Sequence, residues 1–383
     1  MMVNFNFPEL NKKDVEGKKC LVRVDFNVSF KNGKFDDDFR IKRTLPLLNW
    51  LKEKNARTVL ITHIEENDGN IPKLEEFFKL FRKYFIPKIN FISDITGNKA
   101  RKAVNSLKNG DIMLLENLRT DRGEIQNDSE FSEKLASLGD LYINEAFSVS
   151  HRMHSSVAGI ADFLPSYAGF NFKREVEELS RALNPEHPFL VFIAGKKIST
   201  KEKVIGEFLE KADGVVLGGM MAVGFYAALG WNVGKSNIEG NYIQVIRDKF
   251  LKDKRIILPD KVVVLRGEKR IEVNARKVRD DDFIYDVSPS FFGSIKEKIS
   301  KSKLILWNGP FGFLEKGFYA GTERLAQELI GSGASTVVGG GDTVKFLDSR
   351  QIINKFSFVS TGGGAMLEFI ANETLPGIEV LRR

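Results

Sequence analysis

The chain has 383 residues, 42% of them hydrophobic and 28% charged, proportions of an ordinary globular protein that argue against extended disorder, collagen-like repeats and a polytopic membrane protein. A single cysteine, Cys20, excludes a disulfide framework and points to a reducing compartment, and four histidines are too few for a usual Cys/His zinc site. The net charge of +7 permits nucleic acid, an acidic surface or a polyanionic small substrate as partner, but Lys and Arg are interleaved with Asp and Glu as on a solvated mixed surface.

At roughly 150 residues per domain the length suits two large domains. The opening segment MMVNFNFPEL lacks a basic region followed by an apolar run, so neither a secretory signal nor a transit peptide is expected, and a cytoplasmic location is. Short apolar runs then recur: CLVRVDF, TVLITH, INFIS, IMLLEN and LYINEAF, with stretches of helical spacing between them such as IKRTLPLLNWLKEK and LEEFFKLFRKYF. Continuous apolar strands separated by helices indicate parallel sheets covered on both faces. In NFKREVEELSRALNP, Phe172, Val176, Leu179 and Leu183 fall at helical spacing and Asn184-Pro185 stops the helix, which predicts a connecting helix.

The second half repeats the pattern with FLVFIAG, VVLGG, RIILP, LILWNG, STVVGGG and FSFVSTGGG, nearly every run ending in Gly or Asn. From Gly214 to Gly234 no residue is charged, a length that could span a bilayer. Six glycines lie in it, and Gly218-Gly219 splits it, so a buried strand feeding a buried helix is expected instead.

In open parallel sheets ligands bind beyond the carboxyl ends of the strands, so the residues after each run are candidates for chemistry. The first half supplies Asp25, Asn27, His63, Arg119, Asn144, His151, Arg152 and His154. Arg40, Arg119 and Arg152 offer planar forks for carboxylate and phosphate oxygens, while Asp25 and Asn27 could accept from substrate hydroxyls. HRMH has the spacing of a metal pair, but with no further His or Cys ligands an anion site is the better reading. The second half supplies Lys197, Lys201, Gly218, Gly219, Asn308, Gly339 to Asp342, and Ser360 to Gly364. GGGDT and STGGGA each follow an apolar strand and precede a helical pattern, where backbone N–H groups and the helix N-terminus hold phosphate. Asp342 is either an N-cap there or, beside phosphates, a holder of Mg²⁺. The usual nucleotide signatures fail: GWNVGKS is one residue short of a Walker A spacing and follows a helix, and no GxGxxG opens a helix after a strand.

An ordered set of motifs along essentially the whole chain resembles the phosphoglycerate kinase family: RVDFNV, FRIKRTLP, LLENLR, NEAFSVSHRMHSS, LPDKVVV, WNGPFGFLE, GGGDT, STGGGAMLEFI and LPGIEVL. The resemblance implies two doubly wound parallel-sheet α/β domains facing a cleft and joined by a helix. Residues 1–165 would form an acid-substrate domain, 166–186 the connecting helix and 187–365 a nucleotide domain, with the tail 366–383 packing back on the first. It implies reversible transfer of the acyl phosphate of 1,3-bisphosphoglycerate to MgADP, by a monomer with a hinge motion. Asp25, Asn27, Arg40, His63, Arg119, Arg152 and His154 would bind the acid. Lys197, Lys201, Gly218, Gly219, Asn308, Pro310, Glu315, Gly339, Gly340, Gly341, Asp342, Thr343, Gly362 and Gly363 would bind the nucleotide, with Glu315 on the ribose and Asp342 on Mg²⁺. Arg40, Lys197, Gly341 and Gly364 would serve the transfer itself.

The chain departs from the family's pattern at a few places. His-Leu-Gly-Arg-Pro reads HIEEN, so Glu66 stands at an anion-binding arginine, for which Arg122 is the nearest replacement; AGKK stands for GGAK, Thr200 precedes Lys201, and Thr120-Asp121 follows Arg119. Because of Glu66, a catalytically weakened nucleotide-binding homologue acting as an interaction protein is the alternative. Neither nucleic acid nor membrane is expected as a partner.

Overall fold

The computed structural model describes residues 5–28, 30, 31, 34, 35, 37–66, 69–83 and 89–382. Residues 1–4 of the opening segment, Asn67 of HIEEN, and Tyr84 and Phe85 of the second helical stretch lie outside them. The chain forms two compact units, one of residues 5–177 with 364–382 and the other of residues 178–363.

In the first unit, β1 (Lys19–Arg23), β2 (Arg57–Ile61), β3 (Ile89–Phe91), β4 (Ile112–Leu114), β5 (Leu141–Asn144) and β6 (Ser166–Ala168) form one parallel sheet in the order β3-β4-β2-β1-β5-β6. β1 is central and pairs Arg23 with Ile61 on one side and Asn144 on the other. The winding therefore reverses at the β1–β5 border, where such sheets bind ligands. The helix Phe39–Glu53 buries Ile41, Thr44, Leu47, Leu48 and Leu51 at three- and four-residue spacing, which sets Arg40 in its first turn. Its apolar face joins Cys20, Val22, Phe26 and Leu60 in one core.

The connecting helix runs Phe170–Ser180, and the boundary between the units falls within it. It is shorter than the apolar spacing suggests. After Ser180 the chain continues as tighter turns, Ala182 N to Leu179 O and Leu183 N to Ser180 O, before Asn184-Pro185. Residues 166–168 are strand β6 rather than helix, a run too short and polar to stand out in the sequence. Glu145 caps the helix: its carboxylate accepts from Asn171 N at 3.0 and 3.1 Å, and Gly169 leaves it room, since a Cβ there would lie 2.1 Å from Glu145 Oε2.

The second unit holds a parallel sheet of β7 (Phe189–Gly195), β8 (Gly214–Gly218), β9 (Ile256–Ile257), a strand at Leu304–Asn308, another at Ser335–Gly339 and a last at Phe358–Val359, in the order β9-β8-β7 followed by those three. Between them lie β10 (Lys261–Arg266), β11 (Lys269–Asn274) and β12 (Ile284–Val287), so the last three strands of the parallel sheet are β13, β14 and β15. The chain winds outward from β7 through β8 to β9, then returns to β13 beside β7, and the switch point lies between the ends of β7 and β13. The uncharged stretch from Gly214 is strand β8 and the buried helix Gly219–Ala228. Among the described residues no helix is long and apolar enough to cross a membrane.

An antiparallel sheet β11-β10-β12 was not anticipated by the repeating pattern. Its hairpin turns over two residues, Gly267 at φ +59° and Glu268, between the paired Arg266 and Lys269. A glycine at such a turn between alternating runs was the signal available for it.

Candidate functional site

The first half-site lies at the carboxyl end of β1. Arg23, expected only as part of a strand, is buried, and each nitrogen of its guanidinium has a partner: Nε donates to Ser156 Oγ at 2.9 Å, Nη1 to Val24 O at 2.6 Å and Nη2 meets His63 Nδ1 at 3.0 Å. Arginine can only donate, so His63 Nδ1 accepts and the imidazole proton sits on Nε2. Burial first, and then the Arg23 charge, hold the His63 pKa well below 6.5, so the ring is neutral. Ser156 passes the connection on, donating from Oγ to Glu124 Oε1 at 2.6 Å and from its backbone N to Oε2 at 2.9 Å.

Arg119 is buried, and burial followed by the charges of Arg152 and Arg23 pushes its pKa down to about 10, still protonated at neutral pH. Its loop is set by Asn117, whose Oδ1 accepts from Arg119 N at 3.2 Å and whose Nδ2 donates to Ile64 O and Pro72 O at 2.8 Å each. Arg152 Nε lies 3.3 Å from His151 Nε2. Burial pushes His151 and His154 down to about 4, aided by Arg152 at the first and Arg119 at the second. The guanidinium groups of Arg23, Arg119 and Arg152 gathered around His63 make a site for an anion.

Asp25 and Asn27 are committed to organising this site. Asp25 accepts from Asn27 N at 3.0 Å and from Ser148 Oγ, and pairs with Arg40 Nη1 at 3.2 Å. Arg40 also donates to Asn27 O at 3.0 Å, and Asn27 Oδ1 accepts from Glu65 N at 3.0 Å. Asn144 spends its side chain on its own loop, through Ser150 Oγ and Ala146 N.

The two carboxylates of HIEEN part company. Glu66 is exposed and bonded to Asn70, accepting from Asn70 Nδ2 at 2.9 Å while its backbone N donates to Asn70 O. Glu65 forms an ion pair with Arg119. Arg122 is exposed and pairs with neither Asp121, which caps its helix through Gly123 N, nor Glu124, which is buried with Ser156.

The second half-site is a cavity of about 900 Å³ at the ends of β7 and β13, lined among others by Lys197, Lys201, Gly219, Asn308, Pro310, Glu315, Gly340, Gly341, Asp342 and Thr343. Lys201 bridges the switch point: Nζ donates to Ala194 O at 2.6 Å on β7 and to Asn308 Oδ1 at 3.1 Å on β13. Burial pushes its pKa down to about 8. Lys197 is exposed. The loop carrying both lysines is pinned by Glu239, which accepts from Ile198 N at 2.6 Å, Ser199 N at 3.1 Å and Ser199 Oγ at 2.5 Å. Glu239 lies some 40 residues away along the chain and had no motif to mark it.

The glycines divide into two groups. Gly340, at φ +99°, opens the helix Gly341–Ser349, and Gly309, at φ +96°, leaves no room for a Cβ, which would lie 2.2 Å from Ala194 O. Gly218, Gly339, Gly362 and Gly363 do not line the cavity. Two of them permit close approach: a Cβ on Gly363 would come 2.6 Å from Gly340 Cα, and one on Gly218 would strike the Phe311 ring. Thr343 Oγ1 accepts from Gly309 N at 3.1 Å and ties the two turns together. Gly364 is exposed, second in the helix Gly363–Asn372, with open space about its Cα.

Asp342 is exposed in the first turn of its helix, which begins without a side-chain cap bond. The N-cap role therefore falls away, and a carboxylate not spent on the fold beside a phosphate-type cradle suits a hard divalent cation such as Mg²⁺. Glu315 is exposed on the cavity rim with Lys196 Nζ 3.8 Å away.

Two parallel α/β units, one with a guanidinium cluster and one with lysines, glycine turns and a lone carboxylate at its switch point, define a phosphotransferase of two half-sites. The family model described as phosphoglycerate kinase matches residues 10–373. The chain is 37% identical over 387 residues to the phosphoglycerate kinase of Dictyoglomus turgidum, covering 98% of each, and 39% identical over 386 residues to that of Xanthobacter flavus, covering 97% of each. Among solved structures, phosphoglycerate kinase from Pyrococcus horikoshii matches with a TM-score of 0.88 at 30% identity over 96% of each chain. That from Coxiella burnetii matches with 0.82 at 32% identity over 98% of this chain and 99% of its own. The chain belongs to the phosphoglycerate kinase family and is a kinase; no observation favours a binding protein without activity.

Proposed function

We propose that the protein transfers the acyl phosphate of 1,3-bisphosphoglycerate to MgADP, reversibly, giving 3-phosphoglycerate and MgATP. The observation that carries this reading is that each unit holds a half-site at the reversal point of its own sheet: neutral His63 amid Arg23, Arg119 and Arg152 in one, and Lys201 across Ala194 and Asn308 in the other. Family membership over nearly the whole chain supports it.

In this reading Arg119 and Arg152 grip the anionic ends of the acid, and the Nε2–H of His63 donates to it. Asp25 and the Asn27 carbonyl hold the Arg40 guanidinium in place. Phosphoryl transfer asks little covalent help and much neutralisation of charge on the equatorial oxygens. Arg40 and Lys197 supply that charge, with the backbone amides at Gly341 and Gly364 as further donors. Lys201, Gly340 and Thr343 hold the nucleotide phosphates, with Gly219, Asn308 and Pro310 around them, and Glu315 takes the ribose. Asp342 would hold Mg²⁺, which supplies charge neutralisation on the phosphates. Direct transfer requires the two units to close on each other during turnover, which also excludes water. Action as a monomer in the cytoplasm belongs to the same reading.

ATP formation by the purified protein from 1,3-bisphosphoglycerate and MgADP tests it; a protein that binds MgADP yet forms no ATP at saturating concentrations of both substrates would sink the reading.

A further inference from the structure

We propose that Glu65 is a built-in counter-anion on Arg119, which the acid substrate must displace, so that this residue sets the affinity of the acid site. The inference rests on the reading that the first unit binds 3-phosphoglycerate. Arg119 is buried among charges of both signs, with burial, Arg152 and Arg23 lowering its pKa and the more weakly acting Glu124 and Asp25 raising it. The fixed carboxylates nearby already have partners: Asp25 holds Arg40 and Ser148, and Glu124 holds Ser156. Of Asp25, Glu124 and Glu65, Glu65 is the one that pairs with Arg119 directly. Its side chain is 37% exposed and that of Arg119 only 5%, so the carboxylate covers the guanidinium from the solvent side, where an incoming anion arrives.

The contact is built rather than casual. Glu65 N donates to Asn27 Oδ1 at 3.0 Å, and the next residue is bonded to Gly69 and Asn70, with Gly69 N donating to Glu66 O and Asn70 Nδ2 to the Glu66 carboxylate. The backbone on either side of Glu65 is thereby tethered, while its side chain spends its charge on Arg119. A guanidinium fork accommodates one carboxylate or phosphate in its best two-bond geometry. Substrate and Glu65 therefore compete for the same donors. Binding exchanges an internal anion for an external one, and part of the binding free energy goes into parting the Glu65–Arg119 pair.

The experiment measures 3-phosphoglycerate binding by calorimetry, together with KM and kcat, for the wild type, Glu65→Gln, Glu66→Gln and Arg119→Ala. Loss of the internal competitor in Glu65→Gln is expected to lower both the Kd and the KM for 3-phosphoglycerate by about fivefold or more. The KM for ATP should be unchanged. Glu66→Gln, which removes the same charge one residue away, should move the acid KM by less than about twofold. Equal shifts in the two variants, or unchanged affinity in Glu65→Gln while Arg119→Ala loses binding, would overturn the Glu65 proposal and leave the substrate reading standing. Absence of saturable 3-phosphoglycerate binding in all four proteins would overturn the substrate reading itself.

Discussion

The Arg23 guanidinium donates from Nη2 to Nδ1 of His63 across 3.0 Å, and both side chains are buried. A permanent cation thus fixes which nitrogen of a neighbouring imidazole carries its proton. His63 presents Nε2–H, and in ¹⁵N NMR of the intact protein it should show the neutral Nε2–H tautomer from pH 8 down to pH 5.5. An imidazolium signal for His63 at pH 6 would contradict the assignment.

The same burial predicts how stability depends on pH. His151 and His154 are held at about 4 and His63 well below 6.5 in the folded chain, whereas unfolded imidazoles take up protons near 6.5. The unfolded state therefore binds more protons between pH 6.5 and 4, and their contribution to stability, complete above 6.5, is lost as the pH falls through that window. Buried Glu145, raised well above its usual value, and Asp286, pushed up to about 7 by burial, act in the opposite sense, but two carboxyls face three imidazoles. Urea midpoints should fall from pH 7 to pH 4.5, and His154→Asn should flatten the slope by about 1.4 kcal/mol per pH unit at most. A variant as steep as the wild type would argue against the assignment.

Lys201 makes a proton-linked prediction for the nucleotide half-site. Burial holds the ammonium at about 8, and the negative charge of a bound phosphate favours its protonated form. Nucleotide binding at pH 8.5 should then take up a fraction of a proton, measured by titration calorimetry in buffers of different ionisation enthalpy. Lys201→Met should abolish the uptake. Equal proton release or uptake in both proteins would separate Lys201 from the phosphates.

Asp342 spends no cap bond on its helix. Asp342→Ala should therefore leave the folded stability within about 0.5 kcal/mol, yet weaken nucleotide binding with Mg²⁺ far more than without it. Comparable losses with and without Mg²⁺ would reduce the carboxylate to a general electrostatic role.

Glu239 holds the backbone of the lysine loop through Ile198 and Ser199. Glu239→Ala should lower kcat by about tenfold or more, since loosening a positioned charge costs transition-state stabilisation. Lys196→Ala, on the adjacent exposed side chain, should be mild, and Lys197→Ala should cost about 100-fold. A Lys196→Ala enzyme more impaired than Lys197→Ala would move the transfer role to Lys196.

The residues themselves determined much of this protein, because the signals concerned are local. Runs such as TVLITH and FLVFIAG are continuous and apolar because strands covered on both faces need no polar side, and their ends mark where ligand-facing residues must fall; His63, Lys197 and Asn308 were legible on that ground. Asp342 was legible as a choice between cap and metal holder, and only the helix geometry removed the cap. What the tertiary structure alone decided is the pairing of groups distant in sequence. Arg23 looks like a polar interruption in CLVRVDF until β2 brings His63 beside it; Glu239 is an ordinary surface acid until it meets Ile198 N; and of the adjacent pair Glu65 and Glu66, only the fold shows which reaches Arg119. Periodicity reports which face of an element is buried. The partner of a charge is set by sheet order and loop path, which bring together residues such as Arg23 and Ser156, 133 positions apart, at the point where the winding reverses.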